Sequence, residues 1–184
     1  MDITTLKKIV GAIRTAAPHQ RLVLFGSASL LATFPDMGES DTPVQRSRDA
    51  DFILDPWDDD LALAVHEIVG ARKTFDEEHG FYADIVRPFA FENFPPGWDA
   101  RVVPLDGCPG VSAVDPHDMA IAKIFAGRPK DIELLSALIG SGRLDPVLLH
   151  QRLGSIEITE SKWIVRSHSC LREVAEKGGK PLPP

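Results

Sequence analysis

Cysteine is nearly absent: Cys108 and Cys170 are the only two in 184 residues. They stand far apart and make no metal-ligand spacing, so two free thiols are expected rather than a disulfide scaffold. No apolar run approaches the roughly 18 residues that a membrane-crossing helix needs. Met1-Asp2-Ile3-Thr4-Thr5 carries no basic stretch ahead of an apolar one. Neither a spanning helix nor a secretory leader is therefore expected, and the expected compartment is the cytoplasm, with no membrane partner. Positive charge is also short, with 20 Lys and Arg against 27 Asp and Glu for a net charge of −7. That balance excludes a general nucleic-acid coat, whose affinity is built from many Lys and Arg contacts to phosphate, though not a local basic groove. No internal repeat is visible, and no low-complexity tract beyond the end of the chain.

What is present reads as one domain over 1–184. A sheet-containing core is expected over 1–115, a helical region over 116–176 and a frayed tail over 177–184. Ile3, Leu6, Ile9, Val10 and Ile13 recur at helical spacing, and Pro18 ends that helix. Leu22–Phe25 reads as a buried strand, followed by a short helix over Ala28–Thr33. Phe34–Arg48, rich in Pro, Gly, Ser and Asp, reads as a loop, either a surface insertion or a lid. Asp49–Leu54 is the next strand and Asp58–Val69 a helix, with Gly70 after it. Phe81–Val86, Arg101–Leu105 and Gly110–Val114 are further strand candidates. From His117 onward the pattern is helical: Asp118–Phe125, Lys130–Ile139, Pro146–Leu153 and Ser161–Glu176, separated by glycines. Sheet first and helices second is an α+β arrangement.

The chemistry concentrates between Leu22 and Leu54. Leu22-Val23-Leu24-Phe25 runs into Gly26-Ser27, and Asp49-Ala50-Asp51 opens the following strand. Successive strand side chains alternate in direction, so Asp49 and Asp51 project together while Ala50, Phe52 and Leu54 face the other way. Two adjacent carboxylates repel, and a divalent cation relieves that cost. Hard oxygen ligands on a rigid strand suit Mg²⁺ (or Mn²⁺) bound together with substrate phosphates. Gly26 would let a phosphate approach the backbone, and Ser27 adds a hydroxyl and an N–H. Asp84 lies inside the otherwise apolar Phe81-Tyr82-Ala83-Asp84-Ile85-Val86, where a lone carboxylate needs a metal or a salt bridge, with Arg87 or Arg101 as the candidates for the latter.

These residues resemble the nucleotidyltransferase (DNA polymerase beta-like) superfamily: Gly-Ser after an apolar strand, then a strand carrying Asp-x-Asp. Asp118-Met119-Ala120-Ile121-Ala122-Lys123-Ile124-Phe125-Ala126-Gly127-Arg128-Pro129-Lys130-Asp131 is similar to a segment of AbiEii-like nucleotidyltransferases, and Pro95-Pro96-Gly97-Trp98-Asp99-Ala100-Arg101 resembles a turn of uncharacterised members. The likeness runs from about Leu22 to about Arg152. It implies a mixed sheet with flanking helices followed by a C-terminal helical region. It implies a nucleoside triphosphate substrate, and transfer of the nucleoside monophosphate to an RNA, such as a tRNA 3′ end, or to a protein hydroxyl. It further implies a bacterial toxin–antitoxin component with a cognate antitoxin as partner. On the residues, the resemblance implies Asp49 and Asp51 as metal ligands and a third carboxylate, Asp84 or Asp131, completing the catalytic set. It also implies Gly26, Ser27, Lys123, Arg128 and Lys130 around the nucleotide.

Each of these has a plainer reading. Lys123 could snorkel to solvent from its apolar helix, and Asp131 could simply favour a helix N-terminus. Asp58-Asp59-Asp60 is better explained as a helix start than as a metal cluster. His66 and His117 are read as structural, and Trp98 as a packing anchor for the 94–99 loop. Lys162, Arg166 and Arg172 form either a weak RNA-facing stripe or, since Glu160, Glu173 and Glu176 offset them, a solvated face. The stretch 28–48 between Ser27 and Asp49 is longer than the superfamily pattern. A protein that keeps this fold without catalysis, as an antitoxin or scaffold, is the alternative from another class.

Overall fold

The structure is a computed structural model that describes residues 1–39, 42–88, 94–157 and 161–182. The chain divides into two compact units: Met1–Glu92 with Asp99–Asp115, and Asn93–Trp98 with Pro116–Pro184.

In the first unit, α1 (Ile3–Ala16) starts where the Asp2 carboxylate accepts the N–H of Thr5, and buries Leu6, Ile9, Val10 and Ile13. These are the positions that its 3.6-residue period puts on one face. β1 (Arg21–Phe25) follows. Ser27–Ala32 then coils as a 3-10 turn, where a short helix over Ala28–Thr33 is expected from sequence. The expected loop 34–48 is more ordered than its composition predicts. It holds a second 3-10 turn (Pro35–Gly38) and a one-turn helix, α2 (Pro43–Arg46), capped by Thr42; Ser40 and Asp41 lie outside the described residues. Met37 and Val44 are buried there, so apolar anchors rather than turn residues set the course of the segment.

β2 (Asp49–Asp55) pairs antiparallel with β1 and parallel with β3 (Tyr82–Ile85). Between them run α3 (Asp59–Val69) and α4 (Thr74–His79); the latter is not evident from the sequence pattern, and no residue of it is buried. Asp58 accepts the N–H of Leu61 as the cap of α3, with Asp59 and Asp60 in its first turn, so the acidic triplet serves a helix start. β4 (Val103–Pro104) and β5 (Val111–Ala113) complete a five-stranded mixed sheet in the order β3-β2-β1-β5-β4. Both are shorter than expected. Leu22, Leu24, Phe52, Leu54, Ala83 and Ala113 fill one side of this sheet without exposure.

The second unit is helical: α5 (Pro116–Ala126), α6 (Pro129–Gly140), α7 (Pro146–Gly154) and α8 (Ser161–Lys177). Met119, Ile121, Leu135, Leu138, Leu149, Leu171 and Val174 make its core. Phe94 and Trp98 pack with ring centroids 5.6 Å apart within this unit. The start of the expected frayed tail is ordered. Lys177 is still helical, and the N–H groups of Gly179 and Lys180 bond back to Glu176 and Ala175, with Gly179 at φ +72°. That pattern is a Schellman cap, and the turn packs its Gly178 against Ile139. Among the described residues no helix is long and apolar enough to cross a membrane. The fold is α+β.

Candidate active site

The β2–β3 register sets Asp49 opposite Tyr82 and Asp51 opposite Asp84. Directly paired strand residues share a face, and i, i+2 neighbours do too, so Asp49, Asp51, Tyr82 and Asp84 all stand on one side of the sheet. Ala50, Phe52 and Ala83, which alternate with them, are fully buried on the other side. The aspartates are held at this surface by the apolar residues between them. A one-residue slip would drive the carboxylates into the core, which the burial of Phe52 forbids.

One carboxylate oxygen from each of Asp49, Asp51 and Asp84 lies within 4.8 Å of the others, and all three residues are half-buried. Burial first, then the negative charge of Asp49, pushes the Asp84 carboxyl above its ordinary pKa, and His66 on α3 only partly offsets this. Among the described residues no salt bridge joins Asp84 to Arg87 or Arg101, and Arg87 meets Asp59 at 2.6 Å. Asp49 accepts a short hydrogen bond from the Ser47 hydroxyl, which orients its carboxylate. Tyr82, held up from its ordinary pKa by burial and by Asp49 and Asp84, remains a neutral hydrogen-bond donor on this face.

Gly26 sits beneath Asp51. Its φ is +67°, and a Cβ built on it would lie 2.1 Å from Oδ2 of Asp51. The glycine is therefore required twice over, by the left-handed turn after β1 and by the carboxylate against its backbone. Ser29 donates its hydroxyl to the Gly26 carbonyl at 2.8 Å and fixes that turn, leaving half-buried Ser27 at its outer edge.

The other sequence candidates lie in the helical unit and are built differently. Lys123 is only 7% exposed, and its Nζ donates to Asp131 at 3.1 Å. The Arg128 guanidinium donates to both oxygens of Asp131, at 2.6 Å and 3.2 Å. Burial raises the Asp131 pKa, but the Arg128 hydrogen bond and the Lys123 charge together outweigh it and leave the carboxyl below its usual value. Lys123 does not snorkel, and Lys130 is exposed. A second buried pair, Asp118 with Arg152 at 2.8 Å, stands in the same unit.

Sequence reasoning missed Ser47, Tyr82 and the field of His66. The period-2 rule offered a signal for the first two, since Ser47 precedes Asp49 and Tyr82 precedes Asp84 by two residues each. The Asp118–Arg152 pair left no local signal, because its members are 34 residues apart.

An all-oxygen cluster of three carboxylates without a thiol or imidazole in it fits a hard divalent cation. Among the described residues, this is the one such cluster. No curated protein matches the chain, and neither does any solved structure. A family model does match, over residues 3–174, and it is described as a nucleotidyltransferase of unknown function (DUF6036). With nearly the whole chain inside that match, including Gly26-Ser27 and all three clustered aspartates, the protein belongs to this nucleotidyltransferase family.

Proposed function

We propose that the protein is a Mg²⁺-dependent nucleotidyltransferase whose chemistry is carried by the sheet unit. The observation that supports this most is the acid triple: three half-buried carboxylates with oxygens within 4.8 Å, stacked against a glycine turn that only Gly can occupy. A strand surface that brings three half-buried carboxylate oxygens this close together offers a hard cation an all-oxygen site. Asp49 and Asp51 are assigned as the metal ligands. Mg²⁺ held there would neutralise triphosphate charge and lower the pKa of the acceptor hydroxyl.

The remaining roles belong to side chains and backbone of this chain. Gly26 gives the phosphates close access to the turn, and Ser27 offers them its N–H and hydroxyl. Asp84, its pKa raised by burial and by Asp49, takes the proton of the acceptor hydroxyl. The acceptor oxygen then forms a bond to the α-phosphorus, the bond from that phosphorus to the bridging oxygen breaks, and pyrophosphate leaves. Asp84 thus completes the acid set. Asp131, already neutralised by Lys123 and Arg128, is read as structural. Exposed Arg128 and Lys130 stay as candidate phosphate contacts, checked by triphosphate affinity in Arg128→Ala/Lys130→Ala.

The likeness to AbiEii-like members of the DNA polymerase beta-like superfamily supports placement in that branch. It also supports transfer to an RNA or protein hydroxyl, and a toxin role in the cytoplasm opposed by an antitoxin. For the toxin role the expected result is growth arrest on expression that vanishes with Asp51→Ala, and equal arrest by both would refute it.

The deciding experiment is isothermal titration of each nucleoside triphosphate with and without Mg²⁺, on wild type and on Asp49→Ala/Asp51→Ala. Mg²⁺-dependent binding lost in the variant is the expected outcome. A folded wild type that binds no triphosphate would turn the assignment to a non-catalytic protein of this fold.

A further inference from the structure

The 19 acidic and 10 basic side chains of the sheet unit leave it at −9, whereas the helical unit has 8 acidic and 10 basic and stands at +2. Within the helical unit an open trough of about 630 Å³ runs along α8, floored by Ile132 and Cys170 and walled by Lys162, Val165, Arg166, Ser169 and Glu173. Lys162, Arg166, Ser169 and Glu173 fall three or four residues apart, so one helix face carries them all. Glu173, the acid among them, is engaged by Lys177 at 2.7 Å. Arg166 has no carboxylate partner among the described residues. One of its nitrogens donates to the Ala126 carbonyl at 3.2 Å, and its guanidinium lies 5.3 Å from the Trp163 ring centroid. Gly127, at φ +57°, makes room for it, since a Cβ there would come within 3.3 Å of Arg166 Nη2. Trp163 and Val165 are 37% and 70% exposed, large apolar groups left in solvent beside the two cations.

We infer that this trough binds single-stranded nucleic acid, with Lys162 and Arg166 on phosphates and a base stacked on Trp163. A cationic groove beside an exposed aromatic is the general recipe for sequence-tolerant single-strand binding. An anchored guanidinium next to an indole matches a phosphate adjoining a base better than it matches a carboxylate alone. The trough is open rather than enclosed, which admits a continuing strand. That the strand is the acceptor rests on the nucleotidyltransferase reading; the binding itself does not.

Fluorescence anisotropy of a labelled single-stranded RNA of about ten nucleotides tests this, the length covering a typical single-strand site. Lys162→Glu/Arg166→Glu should weaken binding at least roughly ten-fold and flatten the log–log salt dependence by about 1.4, the value for two lost phosphate contacts. Trp163→Ala should weaken it about five-fold or more. Ser169→Glu, exposed and outside the Ala126 contact, should weaken binding too, and it covers the case in which the Arg166 change disturbs the fold. Equal affinity in wild type, Ser169→Glu and the double variant would overturn the inference. So would competition by free AMP as effective as that by the oligomer, which would mark a mononucleotide site instead. Failure of the catalytic reading shows separately, as absent Mg²⁺-dependent triphosphate binding by the wild type.

Discussion

Aspartates gather in both units of this chain, and the two gatherings rest on opposite electrostatics. On the sheet, Asp49, Asp51 and Asp84 crowd together, and Asp84 is driven above its ordinary pKa by burial and by Asp49. In the helical unit, Asp131 and Asp118 are buried more deeply, at 1% and 0% exposure, yet each meets a cation: Lys123 and Arg128 for the first, Arg152 for the second. Depth of burial therefore does not set the sign of the pKa shift; the neighbouring charges do. A deeply buried acid held by cations and a half-buried acid crowded by like charges are thus two different ways of placing a carboxylate, with opposite effects on its pKa.

The largest expected effect would break the helical side of that contrast. Asp131→Ala leaves the buried Lys123 ammonium without its partner and should cost about 3–5 kcal/mol in urea unfolding. Replacing the pair together, Lys123→Met/Asp131→Leu, should restore much of the loss. A structural pair behaves this way, and persistence of the full loss in the double variant would contradict it. On the sheet side, Mg²⁺ at a hundred times its dissociation constant should stabilise the wild type by about 2.7 kcal/mol. It should do nothing for Asp49→Ala/Asp51→Ala in the same thermal melt, and an equal shift in both would remove the triple as the metal site.

Gly26→Ala should cost about 1–3 kcal/mol from the backbone alone, since φ +67° with ψ −161° is a conformation essentially confined to glycine. Because the new Cβ would collide with Asp51 Oδ2, triphosphate affinity should fall along with stability. Loss of stability with unchanged affinity would separate the turn from the site.

The smallest effects are in pH dependence, and their signs are opposed. Asp84 has a raised folded pKa, so its contribution is fully present below the ordinary carboxylate pKa and is lost as pH rises through the raised value. Asp131 has a lowered folded pKa, so its contribution is present above the ordinary value and is lost as pH falls toward the lowered one. In metal-free melts across the acid range, Asp84→Asn should remove the high-pH loss and Asp131→Asn the low-pH loss. Profiles in which both substitutions act on the same limb would collapse the distinction.

The acid pair Asp49 and Asp51 was legible because the strand period alone puts i and i+2 on one face, and the buried residues between them fix which face. Gly26 was legible as a turn residue for a similar local reason. The helix starts could be read from their caps, as at Asp58. Where local pattern and outcome part, burial against distant residues decides. Segment 34–48 looks like loose loop, yet Met37 and Val44 draw it inward. Gly178–Lys180 looks like tail but folds back as a cap on α8.

The sequence by itself determined the α+β order of elements and the common face of Asp49 and Asp51, because each follows from a period of two or 3.6 residues. Asp84 and Asp131 entered as candidates through the family resemblance. Only the tertiary structure showed what each further acid meets within its own unit. Strand register set Asp84 beside Asp51, and helix packing closed Lys123 and Arg128 around Asp131. Whether a carboxylate meets like charge or opposite charge depends on neighbours brought in from elsewhere in the chain, and local spacing carries no record of them.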